Sequence, residues 1–579
     1  MMRYFIYAGW RFKMVSLLIL LSMSMFHVCC SNDNKMMNEV LISSFTVWSG
    51  EQKIDAVIDN EQQKIMISGI EDGNQITNIE YALTSGVTFY PEPHTFLNNW
   101  KKEMNLVART TDNQKVYTIV LKDYEKPLNN ALKIKLDERK QQIMLVGGDM
   151  ERSQFFLQKA AVPEEIAQWC FQDIHFDVCR VSYDKKQELE EGKKNLAFYE
   201  DAVKSMQLLR RVNPDIQFWA TMKSDYNGYN NENNLPDWIC DYKPTTRFDC
   251  DKYAIFLADY LEYMQQNGVA IKYLAVAKEW VGVINAERAR QIIVRLNKEC
   301  VARDVVKPLY VDPASWGITQ GVNFIKSAEE IGSLDLYYGF STHNLNNNEH
   351  DKFLYETFVA EANKYQKYAF ADETGTGSGG RTNGEEPETL AALLDAYQEK
   401  TEYYKDGIQG EILFEPFSRG VNSETRAIYF KKEEQAKRMR SYYVMQTFVN
   451  GIAGKDMYYV PAHIYNVKPE VHVMAFVNDD ELFLALINRS QDDLEGLSVL
   501  WEGAFSHEKA EQTQFDISLP IEGQKEELDI TDNSLVISLS SESITFLTYI
   551  IHSGFISGYQ NRYGDNLKPP TNVYHRMTA

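Results

Sequence analysis

The sequence predicts an α/β fold: a closed (β/α)8 barrel with an immunoglobulin-like β-domain before it and a β-sandwich after it. Three observations support this. Eight short, nearly continuous apolar runs alternate with amphipathic stretches in the middle of the chain, the pattern of parallel strands buried on both faces by their crossover helices. The span from Asp149 to Glu415 is close to the roughly 250 residues usual for such a barrel. On either side the rhythm changes to apolar–polar alternation in short runs separated by turn residues, as in strands with one wet face.

The chain has 579 residues, 44% of them hydrophobic and 25% charged, an ordinary globular composition long enough for two or three domains. Its formal net charge of −22 repels polyanions, and no Lys/Arg-rich stripe reverses the sign locally, which argues against nucleic acid as a partner. Arg3, Arg11 and Lys13 precede an apolar run at 14–26 that is too short to span a bilayer, and Cys29-Cys30 follow it, which is the layout of a cleaved export signal over residues 1–30. The stretch HVCCSNDNK resembles the lipobox of Bacteroidetes lipoproteins. That resemblance implies lipidation at Cys29 or Cys30 and an anchor in the outer membrane, facing the cell surface or the periplasm; a plain secretory signal is the alternative. No later segment is long and apolar enough to cross a membrane. Of the remaining cysteines, Cys170, Cys179, Cys240, Cys250 and Cys300 match no zinc spacing, and Cys240 with Cys250 could close a loop disulfide.

Residues 38–124 are expected to form the immunoglobulin-like domain, with strands at 42–48, 54–58, 65–67, 76–79 and 116–121 and turns at Asp72-Gly73-Asn74 and Pro91-Glu92-Pro93. It resembles the N-terminal modules of Bacteroidetes surface lipoproteins, for which a spacer role is expected ahead of a binding one. Residues 131–455 hold the barrel, with strands at 143–146, 176–181, 216–221, 271–277, 308–311, 336–340, 368–371 and 408–414. Helices are expected at 196–212, 253–266, 286–303, 387–403 and 433–449, with Pro163 and Pro387 at first helical positions. An open doubly wound sheet is the alternative. Residues 456–552 return to alternation at 471–477, 482–487, 497–501, 535–539 and 544–551, a sandwich to which 132–136 could add a strand; the tail at 553–579 has no pattern.

Functional residues of such a barrel gather where the strands end, because the following loops line one mouth. The residues there are Asp149, Arg180 with Asp184, Lys223 with Asp225, Glu279, Asp312, His343, Glu373 and Glu415. This set suits acid–base chemistry on a polar, neutral substrate, and nothing in it has the spacing of a calcium loop. Glu279 in LAVAKEW and Glu373 in YAFADETG each follow an apolar strand, the fourth and the seventh, which puts them across the mouth. Retaining glycoside hydrolysis needs two such carboxyl groups roughly 5 Å apart. The aromatic content, 12%, suits stacking against the apolar faces of sugar rings.

Several segments resemble glycoside hydrolase family 30, the glucosylceramidase, glucanase and xylanase group of the clan A retaining hydrolases. They are IKLDERKQQIMLVGGDMERS, HFDVCRVSYD, YAIFLADYLEYMQQNGVAIKYLAVAKEW, ADETG and RSYYVMQTFVNGIAGKDMYYVPA. The resemblance implies a retaining hydrolase of a polysaccharide or oligosaccharide, monomeric, without metal or organic cofactor. It implies Glu279 as general acid/base, Glu373 as nucleophile, and Arg180 as the arginine that holds the nucleophile ionised. His343, ending GFSTH, falls where the family has a residue near the nucleophile, and Trp238 in LPDW is a candidate sugar platform or a loop anchor. Two positions depart from the pattern. Lys278 stands where clan members have the asparagine that contacts the sugar 2-hydroxyl, and Phe414 stands where many have tryptophan. Lys278 raises the alternative of a catalytically silent glycan-binding lipoprotein. The insert at 224–251, containing YNGYNNENN, could wall one side of a cleft.

Overall fold

The computed structural model describes residues 41–550 apart from 51, 71–72, 98–99, 112–113, 124–128, 224–234, 242–246, 280, 344–354, 379–384, 418–427, 430–435, 503–508 and 532–533. Cys29, Cys30, Asp225, the tail at 553–579 and much of the insert at 224–251 therefore lie outside the described residues. The chain divides into two compact units, 1–129 and 130–579.

The first unit is a pair of sheets. Ile42–Ser49 lies between Gln52–Asp55 and Ile76–Leu83, and the second sheet orders Val57–Asp59, Lys64–Ile67, Gln114–Leu121, Glu103–Arg109 and Thr88–Tyr90. The expected strand at 54–58 is two strands. The chain changes sheets at Ala56, whose N–H donates to Phe45 O at 2.8 Å. Phe45, Val47, Ile65, Ile67, Leu106, Tyr117 and Ile119 fill the space between the sheets, the inward half of the two-residue alternation.

In the second unit eight parallel strands close into a barrel: β1 (Leu145–Asp149), β2 (Val178–Tyr183), β3 (Gln217–Met222), β4 (Tyr273–Leu274), β5 (Leu309–Ser315), β6 (Tyr337–His343), β7 (Tyr368–Gly375) and β8 (Gly410–Phe414). The pairing of Leu145 with Gly410 at the seam between β1 and β8 excludes the open sheet. Gly410 is required there, since a Cβ would lie 2.4 Å from Leu145 O. Leu145, Val178, Trp219, Val311, Phe370 and Ile412 form a separate buried cluster of strand side chains.

Around the strands run α1 (Pro163–Phe171), α2 (Glu200–Val212), α3 (Cys250–Gln266), α4 (Ala286–Ala302), α5 (Ile318–Glu330), α6 (Tyr355–Lys364), α7 (Ala391–Lys405) and α8 (Arg440–Ile452). Asp249 and Asn285 cap α3 and α4 by accepting from Lys252 N and Arg288 N. Pro163 does begin α1, whereas α7 begins at Ala391, beyond Pro387. The segment before α7 is tied elsewhere, because Glu386 Oε1 accepts from Arg440 N at 2.9 Å.

The fourth strand is much shorter than its apolar run at 271–277. Past Leu274, the N–H groups of Val276 and Ala277 donate to Asp312 Oδ1 at 2.9 and 3.0 Å instead of to a neighbouring strand. A buried carboxylate thus takes the place of the ladder, and the chain turns so that Glu279 adopts φ 57° with its N–H on Ala314 O. A left-handed glutamate is strained and marks this turn as a place where position outweighs backbone comfort.

The sandwich has a six-stranded and a four-stranded sheet, and Ala131–Lys135 pairs into the latter between Ala462–Tyr465 and Leu494–Glu502. Gln524–Asp529 carries no apolar alternation and escaped the sequence reading, because it is an exposed, charged edge strand. Phe448 of α8 packs against Phe476, Phe483 and Phe546 of the six-stranded sheet. At Gly451 a Cβ would lie 2.4 Å from the Phe483 ring. Phe448→Ala should therefore lower stability by about 3–5 kcal/mol, read as a lower denaturant midpoint for the second unit. Among the described residues no helix is long and apolar enough to cross a membrane, and the five cysteines there, Cys240 and Cys250 included, are free thiols.

Candidate active site

The strand ends converge on a buried layer of opposite charges. Arg180, at the middle of β2 and fully buried, spends its planar fork of donors on three neighbours. Its Nε is ion-paired with Asp149. Its Nη1 donates to Asp372 O at 2.6 Å and its Nη2 to Glu373 Oε2 at 2.6 Å. Lysine has no such fork and could not hold all three in one plane. Burial pushes the Asp149 carboxyl up to about 6 even though Arg180 pulls it down.

Glu373 sits on β7 with its side chain 5% exposed. Burial alone would raise its pKa, but His343, Arg180 and Lys278 hold the carboxyl well below the usual carboxylate range. It is therefore an ionised group in a water-poor site, as a nucleophile must be. Glu279, 9% exposed, faces it from the turn after β4. Its carboxyl is also lowered, since the hydrogen bond and charge of His343 and the charge of Lys278 outweigh burial. Glu279, His343 and Glu373 each place one donor atom within 4.8 Å of the others.

His343 ends β6 fully buried between the two carboxylates. Its Nδ1 is 3.1 Å from Glu279 Oε1, and its Nε2 is 3.4 Å from Asp372 Oδ1 and 3.7 Å from Glu373 Oε2. Burial would lower its pKa, yet Glu373 and Asp372 push it up to about 10. Asp372 and Glu373 can both reach the ring because the β6–β7 register slips between Thr342 and His343. Lys278 lies buried, ion-paired with Glu151 and 3.7 Å from Glu373 Oε2. The charge that departs from the expected asparagine thus has a partner of its own on the loop after β1. Glu151 also stands 3.8 Å from Arg180 Nη2.

Among the described residues, Glu279, His343 and Glu373 form the one grouping close enough to hold a metal ion. The donor set does not suit one, because Arg180 at 2.6 Å and Lys278 at 3.7 Å already occupy Glu373 with positive charge. The arrangement is that of interlocked ion pairs.

Of the residues singled out from sequence, Glu279, Glu373, Arg180, Lys278 and His343 are brought together here. Phe414 joins them, its ring lying under the guanidinium groups of Arg152 at 4.9 Å and Arg180 at 6.0 Å. Trp238 is tied elsewhere: its indole N–H donates to Glu188 O at 2.8 Å and its ring meets Phe256 of α3, the contacts of a loop anchor. Asp184 accepts from Lys186 N and lies 3.4 Å from Lys223 Nζ. Glu151 and Asp372 were missed. Glu151 lies two residues beyond a strand end, and Asp372 alternates with Glu373 along β7, so simple pleating assigns it to the other face.

Three comparisons set this geometry beside known proteins. The family described as Domain of unknown function (DUF4971) matches residues 38–138. No curated protein matches the chain. Among solved structures, the glycoside hydrolase family 30 subfamily 8 xylanase from Clostridium acetobutylicum is 14% identical with a TM-score of 0.55, over 73% of this chain and all of that one. An endo-beta1,6-glucanase is 13% identical with a TM-score of 0.54, over 73% of this chain and 95% of that one. A conserved exported protein from Bacteroides fragilis is 10% identical with a TM-score of 0.56, over 72% of this chain and all of that one. At such identities the likeness is one of fold: a (β/α)8 barrel with flanking β-structure, shared with a family 30 xylanase among others.

Proposed function

We propose that the chain is a retaining glycoside hydrolase of a polysaccharide or oligosaccharide, with Glu373 as nucleophile and Glu279 as general acid/base. The observation that carries this is that one oxygen of each carboxyl group lies within 4.8 Å of one of the other across the mouth of the barrel. A retaining double displacement needs a gap of about 5–5.5 Å between them, whereas an inverting enzyme leaves roughly 6.5–9.5 Å for a water. Arg180, fully buried, supports the nucleophile without itself being open to substrate. Phe414 and the half-buried Arg152 stacked on it are suited to line the sugar site.

The second reading is a silent glycan-binding barrel, and the observation favouring it is the lowered Glu279 carboxyl, which leaves the acid without a proton of its own at rest. Release of reducing sugar from a panel of plant, algal and host polysaccharides by the mature protein separates the two. Hydrolysis of any one supports the enzyme and names its substrate; binding of a glycan without release of sugar supports the silent barrel.

We also infer export and lipid anchoring at Cys29 or Cys30, supported by the basic, apolar and Cys-Cys order of the first thirty residues. Labelled palmitate should enter the protein in its host and be lost when both cysteines become alanine; labelling unchanged by that replacement rules the anchor out.

A further inference from the structure

We infer that His343 holds, in the resting enzyme, the proton that Glu279 delivers to the leaving oxygen, so that the two side chains work as one general acid. This rests on the glycosidase reading above. The geometry is directional. His343 Nδ1 is 3.1 Å from Glu279 Oε1, while Nε2 faces Asp372 Oδ1 at 3.4 Å and Glu373 Oε2 at 3.7 Å. The ring is thus bordered by the β4 turn on one edge and by two carboxylates of β7 on the other. Asp372 is itself held by the Ser341 hydroxyl at 3.1 Å.

The nearby cations are engaged by other carboxylates: Arg180 of β2 by Asp149, Glu373 and Glu151, and Lys278 by Glu151 and Glu373. Nδ1 lies at hydrogen-bond distance from Glu279 whereas Nε2 makes no hydrogen bond, so the proton placed to leave is the one on Nδ1, and Glu279 is placed to take it. Asp372 and Glu373 act on Nε2 as nearby charges rather than as hydrogen-bond acceptors, and that charge favours the Nε2–H tautomer when Nδ1 gives up its proton. The direction of both shifts agrees: the imidazole is raised by its carboxylates and Glu279 is lowered by the imidazole, so at neutral pH the pair carries its single proton on His343.

In the first step the Nδ1 proton passes to Glu279 and from Glu279 to the leaving oxygen. The bond from the anomeric carbon to that oxygen breaks, a bond to a Glu373 oxygen forms, and His343 is left neutral with its proton on Nε2. In the second step water attacks the anomeric carbon and its proton passes through Glu279 back to Nδ1. The ester bond breaks and Glu373 returns as carboxylate, one water having been consumed for one glycosidic bond. His343 is accordingly a positioning and proton-holding residue acting through Glu279.

The test is the pH profile of kcat/KM for wild type and His343→Gln on the glycan that the panel identifies. A held proton keeps the acid loaded well above the pH at which Glu279 alone would lose it. The alkaline limb should therefore move down by about 2 pH units or more in the variant, so that its loss relative to wild type is about 10²-fold greater near pH 9 than near pH 5. A limb that moves up overturns the proposal, because His343 would then be only a neighbouring cation whose removal raises Glu279. A uniform loss with the limb unmoved overturns it as well, being what a structural role produces. If the variant does not fold, ¹⁵N-histidine NMR of the wild type decides: a doubly protonated ring at pH 7 supports the proposal and a neutral one overturns it. A wild type that cleaves no glycan removes the glycosidase reading and this proposal together; a wild type that cleaves with an unmoved limb removes this proposal alone.

Discussion

Glu373→Gln is expected to lose on the order of 10⁴–10⁶-fold in kcat on the glycan that the wild type cleaves, while binding that glycan with similar affinity. The amide is close in shape but cannot supply the electron pair that forms the glycosyl ester, and among the described residues no other carboxylate is placed to do so. Asp372, the neighbour on β7, has its carbonyl on Arg180 and its carboxylate on Ser341, facing the buried edge of His343. Asp149 and Glu151 are bound to Arg180 and Lys278. The variant should remain folded, because the amide oxygen can still accept from Arg180 Nη2, now 2.6 Å from Glu373 Oε2. Stopped hydrolysis with retained glycan binding, measured by calorimetry on the same preparation, checks both halves. Residual activity within tenfold of wild type would mean that another group attacks.

Arg180→Met has the second large effect, and here the fold suffers with the chemistry. The guanidinium is fully buried and neutralises Asp149, also fully buried, and Glu373. Removing one partner of a buried pair leaves uncompensated charge and is expected to destabilise by about 3–5 kcal/mol. The pH dependence has a definite sign. Asp149 already has its carboxyl raised to about 6 with Arg180 present, and losing Arg180 raises it further. A carboxyl raised by folding favours the folded state when protonated and disfavours it once pH climbs through its pKa. The deficit of the variant should thus be largest at neutral pH and narrow below about pH 6. Glu373, whose depressed carboxyl depends on Arg180 among others, adds a deficit that lessens only as pH falls through its own, lower pKa. Urea midpoints at pH 5 and pH 7.5 measure this; equal deficits at the two would show that Asp149 does not carry the loss.

Much of the barrel was legible because strands covered on both faces must be apolar throughout, so that 176–181 and 368–371 read as strands without any partner being known. The same logic misled at 271–277, where the apolar run is present but most of it leaves the ladder. The cause is Asp312, distant in sequence, whose carboxylate receives the N–H groups of Val276 and Ala277. An edge strand such as Gln524–Asp529 was invisible because solvent on its exposed face asks nothing apolar of it.

In the site, Glu279, Arg180, His343 and Glu373 were found by one rule, that chemistry lies where barrel strands end. That rule is blind to groups whose place is set by long-range pairing. Glu151 is defined by Lys278 across the mouth, and Asp372 reaches His343 through a slip in strand register. Lys278 read alone as a sign of lost catalysis; with Glu151 against it, the pair is electrically matched and the departure from the resembled pattern is compensated within the same buried layer.

The most direct measurement of the central claim is the configuration of the sugar first released, followed by ¹H NMR in the opening minutes of hydrolysis before mutarotation mixes the anomers. With one oxygen of each carboxyl group within 4.8 Å of one of the other, the expected result is a product of the same anomeric configuration as the bond cleaved. Release of the opposite anomer would contradict the account, since it would require a water between Glu279 and Glu373 and leave Glu373 no role as a nucleophile.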